Sequence, residues 1–315
     1  MRFPAVLLFL AVATGFSRAA EVAISIRYLQ PKGKSHAAIY LFHDDGRLLR
    51  QLSEPGEEQD VQPAFAPDGR EIVFQRVKDI GEPPVFWSVK RDGKGAHSLK
   101  GEAPAWHAGR KMATAFTAEP EEVPAPTEDV GVVVDGPETM TSPDGGYEIE
   151  VRPNPKADPH ELSQRVAFLR KQGGAWQPFA EMPGYAYFWF VVKDKAGSPF
   201  FFSPGQHVAF FCGEHDSTTG TNTFALDLDA ARIVMLSENG ATPYRWAGHA
   251  GFWCSASSRY EPFGEGHTVN CFYLDRYDAK LQRIRFATKA HGIFYGASIF
   301  AEGEKPLEIP EDDAR

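Results

Sequence analysis

A fourteen-residue pattern that returns five times constrains this chain more than any other feature. It reads IYLFHDDGRLLRQL from Ile39, FWSVKRDGKGAHSL from Phe86, VAFLRKQGGAWQPF from Val166, TFALDLDAARIVML from Thr223 and CFYLDRYDAKLQRI from Cys271. Each copy is an apolar strand, a tight turn of Asp, Gly or Ala, and a second strand ending on an apolar residue. Asp-Gly between such strands is a strong hairpin signal, because the glycine supplies the left-handed backbone that the turn demands. A second pattern alternates with the first: a proline followed closely by an aromatic. It occurs as QPAF at Gln62, APAW at Ala103, SPFF at Ser198 and TPYRW at Thr242, with GPETM at Gly136 as a weaker copy. A turn and another apolar run follow, most clearly in Ala66-Pro67-Asp68-Gly69 leading into Ile72-Val73-Phe74.

Together the two patterns make four strands per unit. Prolines 63, 104, 137, 199 and 243 lie 41, 33, 62 and 44 residues apart. Four-stranded units of about 40–45 residues are the mark of propeller blades. A helical solenoid is excluded, since no long stretch carries the 3.6-residue period. The expected fold is all-β: a six-bladed β-propeller, with seven blades allowed if the long third unit hides another copy. Five blades begin at the prolines; the second is degenerate, its hairpin surviving only as VGVVVDG from Val130. The sixth is split between the chain ends, with GIFYGASIF from Gly292 joining VAISIRY from Val22 and the Ile39 hairpin. Such a split leaves no open seam. Phe65, Trp106, Phe201 and Trp246 are placed on inner strands, packed between blades.

The unit resembles the TolB-type propeller family. The likeness is carried by QPAFAPDGREIVF from Gln62 to Phe74 and by AIYLFHDDG from Ala38, and it runs through most of residues 21–300. The resemblance implies a propeller. For function it implies two classes, because such propellers serve as binding proteins and as domains of hydrolases and lyases. The α/β domain that TolB itself carries before its propeller has no counterpart in this pattern.

The first residues have a different origin. Arg2, the apolar run from Pro4 to Val12, and Ser17-Arg18-Ala19 form a secretory signal, with cleavage expected after Ala19. The expected organisation is a signal at 1–19, one propeller domain over 20–309 and a polar tail at 310–315, exported to the periplasm or beyond. No later run reaches the ~18 apolar residues that a spanning helix needs. The chain's net charge of −9 argues against a general nucleic-acid binder. Cys212, Cys254 and Cys271 leave an odd thiol, and strand register suggests Cys254–Cys271 as the pair if any bond forms, with Cys212 a buried thiol.

Candidate binding residues come from the connections between second and third strands, which leave a propeller on one face: Glu119–Asp129, Arg152–Arg165, Gly213–Asn222 and Ser257–Thr268. That face collects Glu119, Glu121, Glu122, Asp158, His160, Glu161, Glu214, His215, Asp216, Arg259, Tyr260, Glu261, Glu265 and His267. Among these, His160, Glu214, His215, Asp216, Arg259, Tyr260 and His267 are the candidates for ligand contact. Glu214-His215-Asp216 invites a metal reading, but adjacent loop residues rarely converge on one ion, and a solvated acidic loop is the plainer account. His207, His249 and His291 are spaced by 42 and 42 and belong near the turns of the other face. Gly-x-Ser-x-Gly, His-Glu-x-x-His and a phosphate-binding glycine loop are all absent. The expectation is therefore a monomeric, non-catalytic scaffold for a protein or glycan, with no cofactor and no metal. The alternative is a propeller hydrolase or lyase acting on a polysaccharide or peptide, with His and carboxylates at the channel mouth.

Overall fold

The structure is a computed structural model. It describes residues 20–108 apart from 31, 33, 79–81 and 101; 138–153 apart from 143; 165–178; 187–191; 201–202; 207–214; 222–238; 242–244; and 251–310 apart from 265, 288 and 290. Nearly all regular structure there is antiparallel β, arranged in five sheets of four or five strands.

The sheet built from both chain ends sets the frame. Its order is Leu307–Ile309, Gly292–Phe300, Glu21–Tyr28, Ala37–His43 and Leu48–Gln51. Glu21 lies opposite His43 on one side and Phe300 on the other, so the N-terminal strand is central. The expected joining of Val22 and Gly292 strands is present. One strand was not foreseen: Leu307–Ile309 pairs with Ala297–Ile299 and takes the edge position.

Burial explains why this strand is apolar nearly throughout. Val22, Ile24 and Ile26 pack with Trp253, Leu274 and Phe286 of the fifth sheet. The alternate residue Ala23 joins Ile39, Leu41, Phe65 and Phe74 against the second sheet. A strand covered on both faces shows no polar alternation. The fourth sheet repeats the device: Phe224 and Leu226 meet Ile149 and Leu169 of the third sheet, while Phe210 and Ala225 meet Phe252 and Tyr277 of the fifth. The sheets thus stack face to face in the order second, closing, fifth, fourth, third. The second sheet is Gln59–Phe65, Glu71–Val77, Val85–Lys90 and His97–Ser98; the third is Glu138–Thr141, Tyr147–Pro153, Arg165–Lys171 and Gln177–Pro178. In the fourth, Tyr187–Val191 and Phe201–Phe202 both pair with Val208–Glu214, followed by Asn222–Asp227 and Arg232–Ser237. The fifth runs Thr242–Tyr244, Phe252–Pro262, Thr268–Tyr277 and Arg283–Arg285.

The hairpin turns form as their residues dictate. Gly46 and Gly93 both hold φ at 84°, where L side chains are disfavoured. Asp45 and Asp92 carboxylates accept from the backbone N–H of Arg47 and Lys94.

Three expectations are corrected. Trp106 is not on an inner strand: Ala105–Ala108 is a short helical turn. Ser257–Thr268 is not a long loop, because Phe252–Pro262 runs on through Arg259, Tyr260 and Glu261, leaving only residues 263–267 between the strands. Cys254 and Cys271 are not bonded. Because the strands stay paired as far as Pro262 and Thr268, Cys254 faces Asp275 while Cys271 faces Arg259, which separates the two thiols along the ladder. Residues 109–137, with VGVVVDG, lie outside the described residues, as do residues 1–19, Trp246 and the side chains of Phe201 and Cys212.

Candidate functional site

Strands Phe252–Pro262 and Thr268–Tyr277 are 11 and 10 residues long, whereas their outer neighbours have three each. The far half of this hairpin therefore extends past the rest of its sheet. It rises at the end of the strands where the closing sheet has its 29–36 connection, and the two enclose a groove of about 500 Å³. Leu29, Phe263 and Val269 supply its apolar lining; Arg27, Lys34, His36 and Gln59 supply polar and cationic groups. Arg27 donates from Nε to the Ser35 hydroxyl at 3.2 Å, and Gln59 ties the connection down by accepting from the Ala37 N–H at 2.6 Å.

Phe263 links the groove to a denser cluster. Its ring meets the His291 imidazole edge-on, centroids 5.4 Å apart. His291 Nδ1 is 3.5 Å from Glu261 Oε2 and 3.9 Å from Cys271 Sγ. These three donor groups all lie within 4.8 Å of one another. The Tyr273 hydroxyl donates to Glu261 Oε1 at 2.8 Å and accepts the His291 N–H at 3.2 Å. The Arg285 guanidinium lies 3.8 Å from the Tyr273 ring centroid, with Nη1 3.6 Å from Glu261 Oε1. His291 itself has φ of 63°, a region sparsely used by residues other than glycine.

The electrostatics restrict what this cluster does. Burial pushes the Cys271 thiol up, and the Glu261 charge adds to the shift. Burial, followed by the bond to Glu261, holds the Tyr273 phenol well above its ordinary range. A thiol attacks as its thiolate, so this environment, by keeping the proton on sulfur, disfavours a resting Cys–His nucleophile despite the fitting residue types.

The sequence candidates fall in several places. Arg259 lies on the hairpin, but its guanidinium turns back to donate to the carbonyls of Ser258 and Leu236 at 2.6 and 2.7 Å. Tyr260 is 46% exposed, one of two large exposed apolar side chains among the described residues. His267 is exposed, and its carbonyl accepts the Phe263 N–H at 2.8 Å. Glu214 ends the strand Val208–Glu214; its side chain, with His160, His215 and Asp216, lies outside the described residues. Glu261, Cys271 and His291 were each visible in the sequence, but as a loop acid, a disulfide half and a spaced histidine. Nothing in their spacing of 10 and 20 residues announces a common cluster.

His207 has other partners. Its Nε2 is 2.9 Å from Asp144 and its Nδ1 3.1 Å from Asp229, joining turns of the third and fourth sheets. His249 lies outside the described residues. His291 sits elsewhere, its carbonyl accepting the Leu29 N–H at 2.8 Å beside the groove, so His207 and His291 do not occupy related positions.

No family model and no curated protein matches the chain. Among solved structures it is similar to a chain of a nidogen/laminin complex, at 10% identity over 89% of this chain and 98% of that one, with a TM-score of 0.32. It is also similar to a structure assigned as TolB from Agrobacterium tumefaciens, at 12% identity, 92% and 88% coverage and a TM-score of 0.26. A third is prolyl oligopeptidase B from Galerina marginata, at 11% identity and a TM-score of 0.26; the alignment covers 92% of this chain and 51% of the peptidase. Among the described residues, no helix is long and apolar enough to cross a membrane.

Proposed function

We propose that this chain is an exported six-bladed β-propeller, one domain over residues 20–309, that acts as a non-catalytic binding scaffold. Face-to-face stacking of the sheets and the shared sheet of the two chain ends support the propeller. The ligand is an acidic stretch of a protein or glycan. The groove beside the long hairpin carries this reading: apolar Leu29, Phe263 and Val269 are bordered by Arg27 and Lys34, cations on a chain of net charge −9. Tyr260 on the same hairpin adds an exposed ring, a side chain that offers contact area at low entropic cost. A Cys271–His291 nucleophile, one form that a hydrolase could take, would need a thiolate, and burial of the Cys271 thiol works against that form.

The test is capture from envelope extract with the mature chain and with an Arg27→Glu/Lys34→Glu variant. The wild type retains a ligand that the variant, equally folded, loses. Equal retention by both would place binding elsewhere. Intact mass of protein from its native cell checks the export half: a chain beginning at Ala20 supports it, and an intact Met1 contradicts it.

A further inference from the structure

We propose that Glu261, Cys271 and His291 form a binding site for a divalent metal ion of the zinc class. Thiolate, imidazole and carboxylate are the ligand set of zinc and its transition-metal neighbours, whereas magnesium and calcium take oxygen ligands. The separations are near those a bound ion would set. With metal–sulfur bonds of about 2.3 Å and metal–nitrogen or –oxygen bonds of about 2.0–2.2 Å, a tetrahedral ion sets ligand atoms about 3.4–3.6 Å apart. His291 Nδ1 stands 3.5 Å from Glu261 Oε2, long for a hydrogen bond to oxygen, and 3.9 Å from Cys271 Sγ; both lie near the edges of such a tetrahedron. All three donors lie within 4.8 Å of one another, so the remaining sulfur–oxygen edge closes with a small side-chain rotation.

The surroundings support the donors. Tyr273 and Arg285 both engage Oε1 of Glu261, which leaves Oε2 as the oxygen that faces His291. Tyr273 also holds the His291 backbone. Such outer contacts orient metal ligands. Phe263 covers one edge of the imidazole. Glu261 and His291 keep 23% and 26% of their side-chain surface exposed, while Cys271 is fully buried. The ion therefore enters from the solvent side, and its fourth position faces that side. As the metal–sulfur bond forms, the thiol proton passes to solvent; the thiolate and Glu261 then balance the two charges of the ion.

Cobalt(II) titration of the metal-free mature protein tests this. The expected result is one ion per chain, with a thiolate-to-cobalt absorption band that added zinc abolishes. Cys271→Ser removes the band, and Cys254→Ser, at a second buried thiol, leaves it in place. Because Cys271 lies in the core, His291→Ala and Glu261→Gln provide an independent reading at partly exposed positions; each weakens cobalt binding about ten-fold or more. Absence of the band at stoichiometric cobalt, its survival in Cys271→Ser, or unchanged affinity in both His291→Ala and Glu261→Gln would overturn the assignment. Arg27→Glu/Lys34→Glu leaves cobalt binding intact, so failure of the groove and failure of the metal site are read separately.

Discussion

Asp60→Asn is the substitution whose cost follows most directly from the packing. Asp60 lies opposite Arg76 in the second sheet and is fully buried. Both carboxylate oxygens accept from the guanidinium, at 2.7 Å from Nε and 2.8 Å from Nη2. The guanidinium also lies 4.1 Å from the Trp87 ring centroid. The Asp60 carbonyl accepts the Ser25 hydroxyl at 2.6 Å, so the pair stands where the second sheet meets the closing one. Removing one partner of a buried pair costs about 3–5 kcal/mol, because the other charge is left uncompensated. Here Arg76 keeps 12% of its side-chain surface exposed and has Glu58 at 3.6 Å, which places the loss at the low end, about 3 kcal/mol. Urea unfolding followed by circular dichroism should show a lowered midpoint with an unchanged slope. A double-mutant cycle with Arg76→Met should give a coupling of about 2 kcal/mol, because the double variant removes both charges together. A coupling below about 0.5 kcal/mol would refute the claim that these residues act as one buried unit.

Three further outcomes follow from other contacts. Burial pulls the His207 pKa down, but hydrogen bonds to Asp144 and Asp229 outweigh it, and the net direction is up. A raised histidine pKa stabilises below its unfolded value of about 6.5 and loses that contribution as pH rises through the folded value. His207→Gln should therefore lower the melting midpoint near pH 5 and do so progressively less toward pH 8, and an equal loss at both would count against the bridge. Gly251 has φ of 85°, and a Cβ there would sit 2.0 Å from the Tyr277 carbonyl oxygen; Gly173 has φ of 73° with open space around it. Thermal melts should show Gly251→Ala costing about 3 kcal/mol or more and Gly173→Ala about 1 kcal/mol, and equal costs would contradict the close approach. Non-reducing peptide mapping should recover no peptide joining Cys254 to Cys271.

How much could be read beforehand depended on whether the signal was local. Asp45-Gly46 and Asp92-Gly93 were legible because a turn needs those residue types regardless of what surrounds it. The pairing of Val22 with the C-terminal strand was legible because the repeat left one unit incomplete at each end of the chain, and joining the two leaves no open seam. The long hairpin was not, since SSRYEP from Ser257 looks like a polar loop. Its backbone pairs with Thr268–Tyr273 nonetheless, and Ser258 is buried, bonded from its backbone to Ser237 and from its hydroxyl to Asn270. The Cys254–Cys271 expectation failed for the same reason: it turned the chain at Ser257, whereas pairing that runs on to Pro262 shifts the register by several residues. That shift also puts Glu261 and Cys271 beside His291, a juxtaposition that depends on tertiary stacking and leaves no trace in spacing. Trp106 followed the proline-aromatic pattern, yet Pro104 accepts the His107 N–H at 2.8 Å and begins a helical turn there.

Hydrogen exchange on the mature chain, with and without its captured ligand, tests the central claim most directly. The groove is built from the 29–36 connection, Gln59 and the tip of the long hairpin, all at one end of their strands; the turns at Asp44–Gly46 and Asp278–Gln282 lie at the other end of the same strands. Ligand should slow exchange in peptides covering 29–36 and 263–269 while leaving the turns at 44–46 and 278–282 unchanged. Protection confined to those turns would contradict the account, because it would put the ligand on the opposite face.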